Sequence, residues 1–309
     1  MHHEASPRDL SSVIPAWPTG TPRATGKVSL RFEDVTQDGR LVLESLPTAL
    51  GPTVFRGLLQ HDPGTRACFE HGIFPIISRF VLHGMPGPFS ANHRVEAEAT
   101  FRIARSEDGR LMLDMWANLY APIARTHGPQ PVDGAERVLA GQVLAEHVFT
   151  RPFASAGQRR VTEFDFPGAP VVSETRPAPP AGEAIAGLPA AAVPLEPARR
   201  ADTTPITFGL CHTDSNMHVN SLAYLRVFEE AALRRFSEVG RESLLLARTI
   251  DIAYRKPCFA GQRMRIVQQA FEAGGKVGVA AVLVEERDAQ SDEAFAKVRP
   301  HVFVRLGFE

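Results

Sequence analysis

Hydrophobic and polar positions alternate with two different periods along this chain, and the changes of period mark its elements. From Lys27, Val28, Leu30 and Phe32 alternate with Ser29, Arg31 and Glu33, the period of a half-buried strand. Asp38-Gly39 signals a turn, and Leu41-Val42-Leu43 reads as the partner strand. Apolar groups then recur at helical spacing through Val54, Leu58 and Leu59. Cys68, Ile73, Ile76, Ile77 and Phe80 continue the pattern past Pro63-Gly64, which predicts one or two helices interrupted by Gly72 and Pro75. After Met85-Pro86-Gly87-Pro88 the period returns to two: Arg94 to Ile103 runs out, Glu107 to Arg110 turns, and Leu111 to Trp116 runs back. A further strand is expected within Val143 to Phe149. Strands, a helical centre and long antiparallel strands predict an α+β domain over residues 26–165, behind an irregular leader at 1–25.

The pattern lapses at 166–204. Eight prolines, many alanines and few large apolar groups read as a linker unable to bury much surface. Beyond it the element order repeats. Ile206, Phe208 and Leu210 suggest a short strand, and a helix over 222–239 carries Leu222, Leu225, Val227, Phe228, Ala231, Ala232 and Phe236 near one face, closed by Gly240. Strands follow at Thr249 to Tyr254, Gln262 to Ala273 and Lys276 to Glu286, the last two joined at the Gly274-Gly275 hairpin, with a final strand from Lys297 to Leu306. The second domain is therefore placed at 205–309, a pseudo-duplicate of the first.

Ahead of the second helix stands Asp214-Ser215-Asn216-Met217-His218-Val219-Asn220. Asp and Asn before a helix commonly serve only as caps, but a histidine four residues after the aspartate adds a titratable partner. Asp214 can act as general base or hold a water, His218 can relay a proton or orient that carboxylate, and Asn216 can hold water or a carbonyl without adding charge. Asn220 or Ser221 can cap the helix, whose N-terminal amides and dipole favour developing negative charge. Those are the parts that water-mediated hydrolysis of an acyl group needs: an activated water, oxyanion donors and a proton for the leaving group. A covalent route through Cys258 lacks a basic partner legible in the sequence.

The segment Asp214-x-Asn216-x-His218-Val219-Asn220, followed by Tyr224, by Glu229-Glu230 and by the strand Asp251 to Cys258, resembles the D-x-N-x-H-V-N region of plant and bacterial acyl-ACP thioesterases. The likeness is specific over 206 to about 270 and extends to the first domain in layout only. It implies two tandem hot-dog domains, each an antiparallel sheet wrapped around a central helix, with the chemistry in the second and an apolar groove for the acyl chain in the first. It also implies Asp214, Asn216 and His218 as catalytic residues, with Asn220, Ser221, Tyr224 and Arg255 toward the substrate. One departure matters: the family's acidic residue before the strand cysteine falls on Pro257 here. Glu229 or Glu230 is then the nearest replacement in sequence, with Glu230 and Cys258 carried as further catalytic candidates. Two other functions stay open: a hot-dog hydratase, and an acyl-thioester binding protein without catalysis. The hydratase pattern D-x-N-P-x-H puts its histidine five residues after the aspartate, which the spacing here does not match.

Composition narrows the partners. A net charge of -1 over 309 residues argues against nucleic acid and anionic membranes, although Arg255 and Lys256 can still meet a carrier's phosphate. No stretch nears the roughly 18 apolar residues of a membrane span, and the first residues do not read as a secretory leader. Three scattered cysteines without a CxxC pair fit reduced thiols in a cytoplasm. The expected chemistry needs no cofactor and no metal. The substrate is an acyl thioester of acyl carrier protein or CoA, and two such domains in one chain suit a monomer with an internal pseudo-dimer, or a homodimer through a sheet edge. Asn92-His93 reads as structural, and His212 as rim or ordinary surface.

Overall fold

The computed structural model describes residues 10, 12–129, 131–132, 134–241, 245–289 and 298–309. It divides into two units: Ile14–Pro179, and Pro180–Glu309 with the described part of Met1–Val13.

The first unit holds β1 (Arg23–Ser29), α1 (Pro63–Glu70), β2 (Phe74–Gly84), β3 (Arg94–Ser106), β4 (Leu111–Pro122) and β5 (Arg137–Thr150). Its strands form an antiparallel sheet in the order β1-β3-β4-β5-β2. The period-two pattern places Ala99, Ala117 and Val143 on one face, and Trp116 and Leu144 on the other. The first face receives the helical segment at 43–61. Pro47, Gly51 and Pro52 keep this from being a regular α-helix, and it runs as 3-10 and wide π-type turns. The segment sits close: a Cβ on Gly141 would lie 2.5 Å from Leu46 Cδ2. On the opposite face Ile14 and Trp17 of the leader pack against Val81, Trp116 and Leu144.

Two predicted elements of this unit are corrected. Ile73 to Phe80 is not helical. Phe74–Gly84 is a strand paired along β5, and α1 ends before it at Glu70, followed by Gly72 at φ 67°. A run apolar on both faces mimics helical spacing when its surroundings are unknown. Leu41 to Leu43 is not a partner strand for β1, which pairs with β3 instead. Leu41 makes an isolated bridge to Val35, and Leu43 already begins a 3-10 helix.

The second unit contains α2 (Ser221–Glu238), β6 (Ala247–Tyr254), β7 (Arg263–Ala273), β8 (Lys276–Glu285) and β9 (Val302–Phe308), with sheet order β6-β9-β8-β7. The expected final strand from Lys297 to Leu306 starts outside the described residues at Lys297, and its described part is β9. The helix buries Leu225, Phe228, Ala231, Ala232 and Phe236, each large side chain contributing about 1.5–3 kcal/mol. Phe236 meets Phe308 edge-on at 5.0 Å, and Gln268 Nε2 donates to the Ala231 carbonyl at 2.9 Å across the helix–sheet interface. Both units thus put a helical segment against an antiparallel sheet, the hot-dog architecture.

The proline-rich stretch is anchored in both units. Arg176 reaches the carboxylates of Asp114 and Glu146, themselves almost wholly buried, and Arg79 and Arg102 join them. Further on, Val193–Pro194, Arg200–Ala201 and Ile206–Thr207 each pair briefly with the edge strand β7, which blunts that edge against further pairing. Glu196 and Asp202 tie this stretch to Arg235 and Arg234 of α2. No helix among the described residues is long and apolar enough to cross a membrane.

Candidate active site

The motif forms a tight loop between a 3-10 turn at Leu210–His212 and the start of α2. Thr213 bridges to Val219, Asp214 N–H donates to the His218 carbonyl at 3.2 Å, and Met217 N–H donates to the Asp214 carbonyl at 2.9 Å. This closure places Met217 at φ 65°, the left-handed region that glycine enters most easily. The Met217 side chain is 81% exposed at the loop tip.

Within the loop the Asp214 carboxylate is held at both oxygens. Asn216 N–H donates to Oδ1 at 2.8 Å and Asn220 Nδ2 donates to Oδ2 at 3.2 Å. His218 Nδ1 lies 3.9 Å from Asp214 Oδ1, beyond direct hydrogen-bond length, with both side chains partly open to solvent. Asn220 has a second duty. Its Oδ1 accepts Leu222 N–H at 2.9 Å, so it is the N-cap of α2. Its backbone carbonyl also accepts Ala223 N–H, leaving Ser221 N–H as the first-turn donor that neither of these takes. Asp214, Asn216, His218, Asn220 and Ser221 are therefore together.

A second layer supports the loop from below. Tyr224 is buried, its hydroxyl accepts Cys258 N–H at 3.2 Å, and burial raises its pKa. Tyr254 donates to the Ser221 carbonyl at 2.9 Å and lies 5.6 Å from Tyr224. Both tyrosines hold the helix start against the end of β6. Tyr224, expected toward the substrate, is thus placed under the loop.

Cys258 has a neighbour that sequence spacing does not reveal. His301 Nδ1 lies 3.4 Å from Cys258 Sγ and 3.2 Å from the Pro257 carbonyl, while His301 Nε2 stands 4.0 Å from Glu285. The arrangement has the parts of a nucleophile and base but not their state. Cys258 is fully buried, and burial pushes its thiol pKa up to about 11, while burial lowers that of His301. A protonated thiol without solvent access is a poor nucleophile.

The remaining candidates lie apart. Glu230 is on the exposed face of α2, ten residues past Asn220, or roughly 15 Å along the helix axis. Glu229 accepts the Ala247 N–H at 3.1 Å at the start of β6. Arg255 is exposed at the end of β6 and donates to the Tyr254 and Pro180 carbonyls. His212 turns inward, with Nδ1 accepting Gly209 N–H at 3.0 Å. Among the described residues none form a metal-binding cluster of three or more His, Cys, Asp or Glu.

No model of a known protein family matches the chain, and no curated protein matches it. Solved structures do. A protein described as an oleoyl thioesterase from Lactobacillus plantarum superposes with a TM-score of 0.62 at 13% identity, over 94% of this chain and 96% of its own. An acyl-ACP thioesterase from Bacteroides thetaiotaomicron gives 0.54 at 14%, over 93% and 98%. The 12:0-ACP thioesterase from Umbellularia californica gives 0.52 at 11%, over 93% and 97%. These end-to-end likenesses establish the tandem hot-dog fold that the motif had suggested.

Proposed function

We propose that this chain hydrolyses an acyl thioester, carried on acyl carrier protein or CoA, to the free acid. The observation that carries the reading is the fixed Asp214 carboxylate, held by Asn216 and Asn220 with His218 beside it, on an exposed loop at a helix N-terminus. Asp214 holds and deprotonates a water that attacks the thioester carbon. His218 stabilises the carboxylate during proton transfer and passes the proton to the departing thiolate. Asn216 orients water or the carbonyl, and the α2 N-terminus, with Ser221 N–H, favours the oxyanion. The exposed Arg255 suits a phosphate on the carrier arm, and the widely spaced cysteines suit a reducing cytoplasm.

A second reading is a binding protein that retains the fold with little turnover. It is favoured by Pro257 at the position where the resemblance expects an acid, and by the 3.9 Å gap between His218 and Asp214. Thiol release measured over a panel of acyl-CoA and acyl-ACP substrates separates the two. Hydrolysis predicts turnover that falls about 100-fold or more in Asp214→Ala and His218→Ala. No thiol release from any substrate, with saturable binding of a non-hydrolysable acyl thioether, overturns it.

A further inference from the structure

The first unit contains a loop built to the same backbone plan as the motif. Thr36 N–H donates to the Arg40 carbonyl at 2.9 Å and Gly39 N–H to the Thr36 carbonyl at 2.9 Å, as Asp214, His218 and Met217 do in the second unit. Val35 bridges to Leu41 as Thr213 does to Val219, and each loop follows a three-residue 3-10 turn. Gly39, at φ 87°, occupies the left-handed position of Met217. This register sets Thr36, Asp38 and Arg40 where the second unit has Asp214, Asn216 and His218.

Those three side chains are closed on one another. Arg40 Nε donates to Asp38 Oδ2 at 2.6 Å, and Thr36 Oγ1 donates to Asp38 Oδ1. The loop therefore presents no carboxylate poised on a water. Beside it opens a cavity of about 300 Å³, lined by Phe32, Val35, Gln37, Arg125 and His127 among others. Its walls are tied together. Phe89 N–H donates to the Gly39 carbonyl at 2.6 Å, and Ala124 N–H donates to the Pro88 carbonyl at 3.0 Å. Asn92 Nδ2 donates to the Thr126 carbonyl at 2.8 Å and so holds the turn that carries Arg125 and His127. Glycine is needed at 39, because a Cβ there would stand 2.6 Å from Pro88 Cβ.

We propose that this cavity is a second ligand site, one that binds without turnover, and that it takes a small amphipathic carboxylate. Arg125 makes no ion pair among the described residues, whereas Arg40 pairs with Asp38. The lining thus offers one uncompensated guanidinium, which balances one negative charge in the fork geometry of a carboxylate. A dianionic phosphate would carry a second negative charge that this single guanidinium does not balance. Phe32, 67% exposed, and Val35 supply apolar surface for a short chain, and the volume falls at the small end of ligand cavities.

Calorimetric titration of the full chain with octanoate tests the assignment. Octanoate should saturate the protein, while acetate, lacking the chain, and methyl octanoate, lacking the charge, should each bind at least tenfold more weakly. Arg125→Gln and Phe32→Ser, both at exposed positions, should each weaken octanoate at least tenfold. Inorganic phosphate should not displace it. Affinity unchanged in Arg125→Gln overturns the proposal, as does octanoate binding lost in His218→Ala but kept in Arg125→Gln, which would put the acid at the other loop. Thiol release by Arg125→Gln, measured separately at saturating substrate, should equal that of the unaltered chain, so failure of the hydrolytic reading stays distinguishable.

Discussion

The carbonyl of Cys258 accepts the N–H of Val219 at 2.8 Å. Through this bond the residue after Pro257 and the residue after His218 become neighbours, and the segment following β6 becomes the floor of the motif loop. The Tyr224 hydroxyl, accepting Cys258 N–H, adds a second tie to the same residue. The loop's geometry is therefore set jointly by the helix start and the strand end, and substitutions in either test it.

Asn220 joins two functions in one side chain, capping α2 with Oδ1 and holding Asp214 with Nδ2. Asn220→Ala should lower stability by about 1 kcal/mol through loss of the cap and should lower thiol release well beyond the unfolded fraction. Asn220→Asp keeps the cap but sets a carboxylate against Asp214, so its thermal midpoint should stay near that of the unaltered chain while activity falls. Differential scanning calorimetry paired with the thiol-release assay checks both.

The cysteines should differ sharply in reactivity. Cys68 and Cys258 are buried, and burial raises both thiol pKa values to about 11. At pH 7.5 fewer than about one such thiol in a thousand is ionised. Cys211 is exposed. Brief iodoacetamide treatment of the folded chain should alkylate Cys211 alone, as read by peptide mass spectrometry. Cys258→Ala should retain thiol release within about twofold if the buried thiol takes no covalent part.

Met217 occupies a backbone conformation that costs a non-glycine residue roughly 1–2 kcal/mol. Glycine's greater freedom in the unfolded chain offsets roughly half of any relief. Met217→Gly should therefore raise the free energy of unfolding by about 0.5–1 kcal/mol, whereas the β-branched Met217→Val should lower it. Urea denaturation at constant pH provides the comparison.

His147, on β5, is buried, and burial holds its pKa down to about 4, against about 6.5 in an unfolded chain. Between those values the unfolded chain binds a proton that the folded chain refuses. The stability contributed by neutral His147 is therefore fully present above about pH 6.5 and is lost as pH falls toward 4. Unfolding free energy should drop between pH 7 and 4.5, and His147→Leu should show a shallower drop over the same window. The difference between the two curves isolates this group from the carboxylates that titrate nearby.

What the sequence determines by itself is whatever rests on bonds between near neighbours. The motif loop closes through bonds from Asp214 to His218 and from Met217 to Asp214, the cap through Asn220 and Leu222, and the β7–β8 hairpin through Gly274-Gly275. Spacing and residue type suffice there, because the partners lie within a few positions along the chain. The same locality misleads at Phe74–Gly84, where helical spacing yields to a strand because β5 supplies the pairing. It is silent on His301 beside Cys258, 43 residues away, and on Arg176 with Asp114, 62 residues away. The likeness of the Thr36–Arg40 loop to the motif also escapes it, since the two share backbone hydrogen bonds but not side chains. Those relationships depend on which strands pair and which faces they bury, a choice made by the whole fold at once and decided only in the tertiary structure.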